Sequence, residues 1–204
     1  MNNCYLDTEA VITFFRMTGR KHIFITGSRG SGKSHLVNNM LKHMSDSFNL
    51  LQSHRTDTPQ VVIKSNLVAD NKEFVIGVPR TSGINPASKG NNMTIIEDGF
   101  INCAIPAIDT HLDTTPERLF VIDELGYLES SCIPFQKAVE KLLDNSHVLA
   151  VIRKQSTEFL NRICNRKDVL VIDIDNTFET LSCIIMASGM SKRFGSNKLI
   201  TDFN

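Results

Sequence analysis

Gly27-Ser28-Arg29-Gly30-Ser31-Gly32-Lys33-Ser34 places three glycines, a lysine and a hydroxyl in the spacing Gly-x-x-x-x-Gly-Lys-Ser. Glycines let the backbone wrap closely enough for successive N–H groups to converge on one anion. A helix that opens at the lysine adds its own unpaired amides and the positive end of its dipole. In that geometry the Lys33 ammonium reaches the β- and γ-phosphates of a nucleoside triphosphate, and the Ser34 hydroxyl ligates Mg²⁺. Arg29 sits inside the loop within reach of phosphate, although a loop arginine more often faces water.

A second group of polar residues, Asp123-Glu124-Leu125-Gly126, follows the apolar run Leu119–Ile122. Carboxylates at the C-terminal end of a strand stand where open α/β sheets bind ligands. Asp123 is suited to hold Mg²⁺ through water, and Glu124 to orient and deprotonate an attacking water. The same four residues fit the Asp-x-x-Gly of GTP switches. The string nearest to a guanine reader, however, is Asn165-Arg166-Lys167-Asp168, with its lysine one place late and ahead of a strand, which counts against GTP switching. Arg153 directly follows Val148–Ile152 at the same sheet edge, where a cation would stabilise charge on a transferring phosphoryl group. Arg80, Arg118 and Arg162 carry no positional argument. The six histidines show no metal-ligand spacing and read as surface or helix residues, and the five scattered cysteines read as reduced and buried.

These residues work only if strands and helices present them on one edge. His22–Thr26 reads as a β-rich strand leading into the loop, and Lys33 to about Met44 as a helix with Leu36, Val37, Met40 and Leu41 on one face. An earlier helix, capped by Asp7 or Thr8 and running to Met17, offers Val11, Ile12, Phe14 and Phe15 to the sheet. Between Asp46 and Asn92 the pattern loosens: Val61–Ile63 and Phe74–Ile76 read as an inserted β-hairpin, and Ser82–Asn92 as a mobile loop. Beyond Met93–Ile96 come a helix from about Asn102, the strand Leu119–Ile122 and a helix near Pro134. The strand Val148–Ile152, a helix over Thr157–Ile163 and the strand Val169–Ile172 complete the alternation. Such alternation predicts an α/β, three-layer fold with a mostly parallel sheet.

Taken together, the strand and Gly27–Ser34 loop, Gly99-Phe100 ahead of a helix, and Val121-Ile122-Asp123-Glu124-Leu125-Gly126-Tyr127-Leu128-Glu129 resemble the small P-loop nucleoside-triphosphatases. In that family the acidic motif reads Asp-Glu-Ile-Gly-Lys-Met-Glu. The resemblance runs over roughly residues 20–182 and implies a RecA-like sheet and slow, Mg²⁺-dependent hydrolysis of several nucleoside triphosphates, ATP among them, without strong base preference. By position it gives Lys33 and Ser34 the phosphate and metal, Asp123 the metal, and Glu124 the role of base. Glu129 matches the family's final acid, Tyr127 replaces a usual lysine, and Arg153 stands where the family commonly has proline.

The chain has 204 residues, about 1.4 average domains, and its 22 basic residues balance 22 acidic ones. A net charge of zero gives no global field for nucleic acid or an anionic membrane, no apolar run is long enough to span a bilayer, and the opening residues lack a signal pattern, so the expectation is a cytosolic protein. Ala187-Ser188-Gly189-Met190-Ser191-Lys192-Arg193-Phe194-Gly195-Ser196-Asn197-Lys198-Leu199 resembles the opening signature of molybdenum-cofactor-type nucleotidyltransferases. That resemblance implies phosphate contacts by Arg193 and Lys198, and a C-terminal transferase domain as partner. The expected division is an NTPase domain over 1–182 and the start of a transferase domain over 183–204, in a fragment of a longer protein. Two other readings stay open: a small-molecule or nucleoside kinase with Ser82–Asn92 as its lid, and a non-catalytic nucleotide-binding regulator of the attached transferase.

Overall fold

Within each short apolar run, successive side chains point to opposite faces of the sheet, so a run such as Ile23-Phe24-Ile25 must be covered on both sides. The computed structural model describes residues 8–44, 47–80 and 93–175. The expected loop at Ser82–Asn92 and the transferase-like string at 187–199 lie outside the described residues. The elements run α1 (Thr8–Thr18), β1 (His22–Gly27), α2 (Lys33–Met44), β2 (Phe48–Arg55), β3 (Val61–Ser65), β4 (Phe74–Pro79) and β5 (Met93–Ile95). They continue with α3 (Glu97–Gly99), a π-helical stretch Phe100–Ala104, α4 (Ile105–Thr114), β6 (Leu119–Leu125), α5 (Ile133–Asn145), β7 (His147–Arg153), α6 (Glu158–Cys164) and β8 (Val169–Asp173).

All eight strands form one sheet in the order β5-β4-β3-β2-β6-β7-β1-β8. β2, β6, β7, β1 and β8 are parallel, and β3, β4 and β5 extend them antiparallel. Ile23, Ile25, Val121, Leu149 and Val151 face α1 and α2 through Val11, Ile12, Leu36, Val37 and Met40. Phe24, Phe120, Ile122, Val148 and Ala150 face the opposite layer, which supplies Ile108, Phe135, Val139, Leu142 and Phe159. Burying each such side chain contributes about 1.5–3 kcal/mol, so both helical layers are tied firmly to the sheet. Gly99 is fixed by close packing, because a Cβ there would stand 2.4 Å from the Val75 carbonyl oxygen where α3 meets β4.

Three local expectations need correction. The helix expected from about Asn102 already begins at Glu97, where the close Gly99–Val75 contact lets the chain turn helical directly after β5. β2 is an additional central strand, so the hairpin β3–β4 continues the main sheet through it. His22 is neither a surface nor a helix residue: it is fully buried at the start of β1, where Nδ1 accepts the Val148 amide and Nε2 has no hydrogen-bond partner among the described residues. His111, in contrast, is the expected helix residue, buried inside α4 and bonded to Asn49 and Ser146. Among the described residues no helix is long and apolar enough to cross a membrane.

Candidate active site

Five parallel strands end on one edge, and the turns there carry the polar residues. After β1 the backbone takes φ of 78° at Gly30 and 94° at Gly32, a left-handed region that glycine enters without penalty. Crowding settles Gly27, where a Cβ would lie 2.7 Å from Ile174 Cγ1 and 2.8 Å from Ser31 Oγ. Lys33 folds its Nζ back onto the loop, donating to the carbonyls of Gly27 at 2.9 Å and Ser28 at 2.8 Å. The Ser28 amide and hydroxyl donate to the Asp175 carboxylate at 2.7 and 3.0 Å. Lys154 bridges Asp173 and Asp175 at 2.8 and 3.1 Å, and its ammonium holds the Asp175 carboxyl below its ordinary value. The first amide of the loop is thereby tied to the end of β8.

On β6, the register with β7 passes from Ile122↔Ala150 to Leu125↔Ile152, so one extra residue bulges from the strand. Glu124 takes up the slack at φ 82°, a conformation that costs a non-glycine residue roughly 1–2 kcal/mol. Bulges beside functional sites re-aim a side chain, and this one turns two successive carboxylates to the edge. Asp123 accepts a hydrogen bond from Gln52 Nε2 at 2.9 Å, its register partner on β2. Glu124 is ion-paired with Arg153 of β7. Arg153 lies across the turn at Gly126, where a Cβ would stand 2.9 Å from its Cδ. The Gly126 amide donates to Glu129 Oε2 at 2.9 Å, and burial pushes the Glu129 carboxyl up to about 6. Burial also raises the Tyr127 phenol, against the opposing pull of Arg153, Arg55 and Arg80.

Between these turns lies a cleft of about 680 Å³, lined by Gly27, Ser28, Arg29, Gly30, Lys33 and Ser34 on one side and by Asp123, Glu124 and Arg153 on its floor. Gly32 and Ser31 complete the same loop. Ser53, His54 and Arg55 at the end of β2 form the facing wall. The sequence pattern offered no signal for them, nor for Gln52, because β2 itself was not legible. Lys154 and Asp175 stand one and two residues past the ends of β7 and β8 without any motif to mark them. Arg162 is engaged elsewhere, with Glu140 at 2.7 Å. The Asn165–Asp168 string lies at the far edge of the sheet, where the Asp168 carbonyl accepts the Lys21 and His22 amides at the start of β1.

Ser34 and Asp123 offer a hydroxyl and a carboxylate to one cleft, the oxygen donors that suit Mg²⁺ when phosphate oxygens and water complete its shell. The donor chemistry therefore fits the metal expected from the sequence.

Among known proteins, the nucleoside-triphosphatase THEP1 of Thermotoga sp. (strain RQ2) is 26% identical over 155 residues, which span 75% of this chain and 86% of that protein. Its Thermotoga maritima counterpart is 23% identical over 154 residues, covering 75% and 86%. The crystal structure of THEP1 from Aquifex aeolicus superposes with a TM-score of 0.60 at 18% identity, covering 76% of this chain and 91% of that one. The solution structure of a human cancer-related nucleoside triphosphatase gives 0.56 at 20%, covering 78% and 92%. Both structures share the fold. The NTPase family model matches residues 22–182, from the first residue of β1 to beyond β8, and over that span the chain belongs to the NTPase family.

Proposed function

We propose that this member of the NTPase family hydrolyses nucleoside triphosphates, ATP among them, to the diphosphate and inorganic phosphate, with Mg²⁺ held at Ser34 and Asp123. The observation that carries the reading is the convergence of Lys33, Ser34, Asp123 and Glu124 on one cleft at the C-terminal edge of the sheet. The cation, when bound, would supply charge neutralisation on the phosphate oxygens. The loop amides from Gly27 to Ser34, with Arg29 at its crest, receive the phosphate chain. Lys33 exchanges its bonds to the Gly27 and Ser28 carbonyls for phosphate oxygens. Glu124 orients a water and takes its proton as the water oxygen attacks the γ-phosphorus; the bond to the bridging oxygen breaks and the diphosphate leaves. Arg153 holds the Glu124 carboxylate at the edge where negative charge grows.

The assay is phosphate release by the purified chain with and without Mg²⁺ and candidate acceptors. Lys33→Ala and Glu124→Gln should each lower turnover by about 10²-fold or more with unchanged thermal unfolding. Turnover equal to wild type in either variant overturns the assignment, and release that requires an acceptor favours a kinase. The proposed division at 182/183 coincides with the end of the NTPase family match at residue 182, and the proposed link to nucleotidyl transfer rests on the resemblance of the Ala187–Leu199 string alone. Nucleotide still bound by Lys33→Ala but lost on adding Arg193→Ala would support a second phosphate site in that segment.

A further inference from the structure

β2 joins the two halves of the sheet, with β6 parallel on one side and β3 antiparallel on the other. Its last residue, Arg55, is in register with Val61 of β3. The connection between them is closed by the Thr56 amide on the Gln60 carbonyl at 3.2 Å and by Thr56 Oγ1 on the Thr58 carbonyl at 2.7 Å. Arg55 is thus carried on a braced hairpin end. Its side chain lines the cleft on the wall facing the phosphate loop, and it also lines a narrow crevice with Glu124, Tyr127 and Arg153.

The cations around this cleft differ in what they already hold. Lys33 is bonded to two loop carbonyls, Lys154 to two carboxylates, and Arg153 to Glu124. Two arginines of the cleft make no ion pair and no side-chain hydrogen bond among the described residues: Arg29, which belongs to the phosphate loop itself, and Arg55, which stands at the end of β2. The carboxylates that line the cleft and the crevice with Arg55 are engaged, Asp123 by Gln52, Glu124 by Arg153 and Glu129 by the Gly126 amide. Recruiting Arg153 to phosphate would strip Glu124 of its partner, whereas recruiting Arg55 breaks nothing.

We infer that Arg55 is a further catalytic residue: its guanidinium meets the γ-phosphoryl oxygens from the side opposite the phosphate loop and stabilises the charge that develops there, while Arg153 serves as the positioning residue for Glu124. The inference rests on the hydrolytic reading above. A planar, permanently charged fork suits a phosphoryl group whose charge spreads over several oxygens, and a donor aimed at developing charge acts mainly on kcat. Because only the triphosphate carries the γ-phosphoryl group, Arg55 also favours triphosphate over diphosphate.

The test measures kcat and the affinities for a non-hydrolysable ATP analogue and for ADP in the wild-type chain, Arg55→Ala, Arg55→Lys and Arg118→Ala. Arg55→Ala should lower kcat by about 10²-fold or more and shrink the preference for the analogue over ADP by about tenfold, with ADP affinity held. Arg55→Lys should recover only part of kcat, since a point charge replaces a bidentate fork, and Arg118→Ala should match wild type. If Arg55→Ala keeps both kcat and the preference within about twofold, the inference fails even though Lys33→Ala and Glu124→Gln remain inactive. If the wild-type chain itself releases no phosphate, the hydrolytic reading fails, and the preference ratio alone decides whether Arg55 contacts the terminal phosphate.

Discussion

The two edges of the parallel strands treat polar residues in opposite ways. At the edge where the strands begin, polar groups are buried and spent on one another. His111 receives the Asn49 amide on Nδ1 at 2.8 Å and bonds Ser146 Oγ through Nε2 at 2.7 Å, while Asn49 also donates to Thr115 at 2.8 Å. His22 Nδ1 accepts the Val148 amide at 3.2 Å, and Arg166 clasps Asp168 through two bonds of 2.9 and 2.8 Å. At the edge where the strands end, Glu124 sits on a left-handed bulge, Lys33 rests on carbonyls, and Arg55 pairs with no carboxylate among the described residues. One set of strands thus has a closed end that locks the layers and an open end whose donors and charges remain available to a ligand. Buried polar groups stabilise only when satisfied, so the closed end spends its valence on the fold and the open end gives up some stability for chemistry.

Acid should break the closed end first. His22 is fully buried, and burial, with the Arg166 and Lys21 charges acting in the same direction, outweighs the pull of Asp168, whose carboxylate stands 3.4 Å from Nε2, and pushes the imidazole down to about 4. A folded value below the unfolded one means that the unfolded chain binds the proton more readily, so this stability is present above about pH 6.5 and is lost as pH falls towards 4. The shift corresponds to about 3 kcal/mol. Unfolding free energies from urea titrations at pH 7 and pH 4 should differ by that much more for wild type than for His22→Gln, and an equal difference in the two would remove the argument.

At the open end the sign reverses. Glu129 is buried beneath the Gly126 turn with its carboxyl raised to about 6, so its contribution is fully present below about pH 4.5 and disappears as pH rises through 6. Holding that carboxylate ionised at neutral pH costs about 2 kcal/mol. Glu129→Gln keeps an acceptor for the Gly126 amide and should stabilise the chain by up to about 2 kcal/mol at pH 7.5, flattening the profile between pH 4.5 and 6. A variant less stable than wild type at pH 7.5 would mean that the charge itself supports the turn beneath Arg153.

The same contrast accounts for what the sequence made legible. The loop after β1 and the acidic end of β6 were readable because each follows an uninterrupted apolar run, the mark of a strand covered on both faces. β2 was not, since five of its eight residues, Asn49, Gln52, Ser53, His54 and Arg55, are polar. Those residues are polar because the strand serves both ends of the sheet: Asn49 enters the closed network, Gln52 holds Asp123, and Arg55 faces the cleft. His22 carries no local signal for a related reason, as its partners lie on β7 and ahead of β8, far along the chain. Arg153 was legible as a position, but its pairing with Glu124 depends on the bulge and on Gly126, neither of which leaves a local pattern.

The smallest expected effect lies where the open end is braced. Asp175 ties the Ser28 amide and hydroxyl to the end of β8, and it also places a negative charge beside a loop built for phosphate. The two influences oppose each other, and two variants separate them. Asp175→Ala removes both the acceptor and the charge; losing the brace should cost about 0.5–1 kcal/mol of loop order and raise KM for ATP about two- to fivefold, with kcat little changed. Asp175→Asn keeps an acceptor for Ser28 and loses only the charge, which is exposed and screened, so its KM should stay within about twofold of wild type or fall. If both variants lower KM, the carboxylate acts on the loop chiefly as a competing anion, and the open end is held in shape by its glycines and by Lys33 alone.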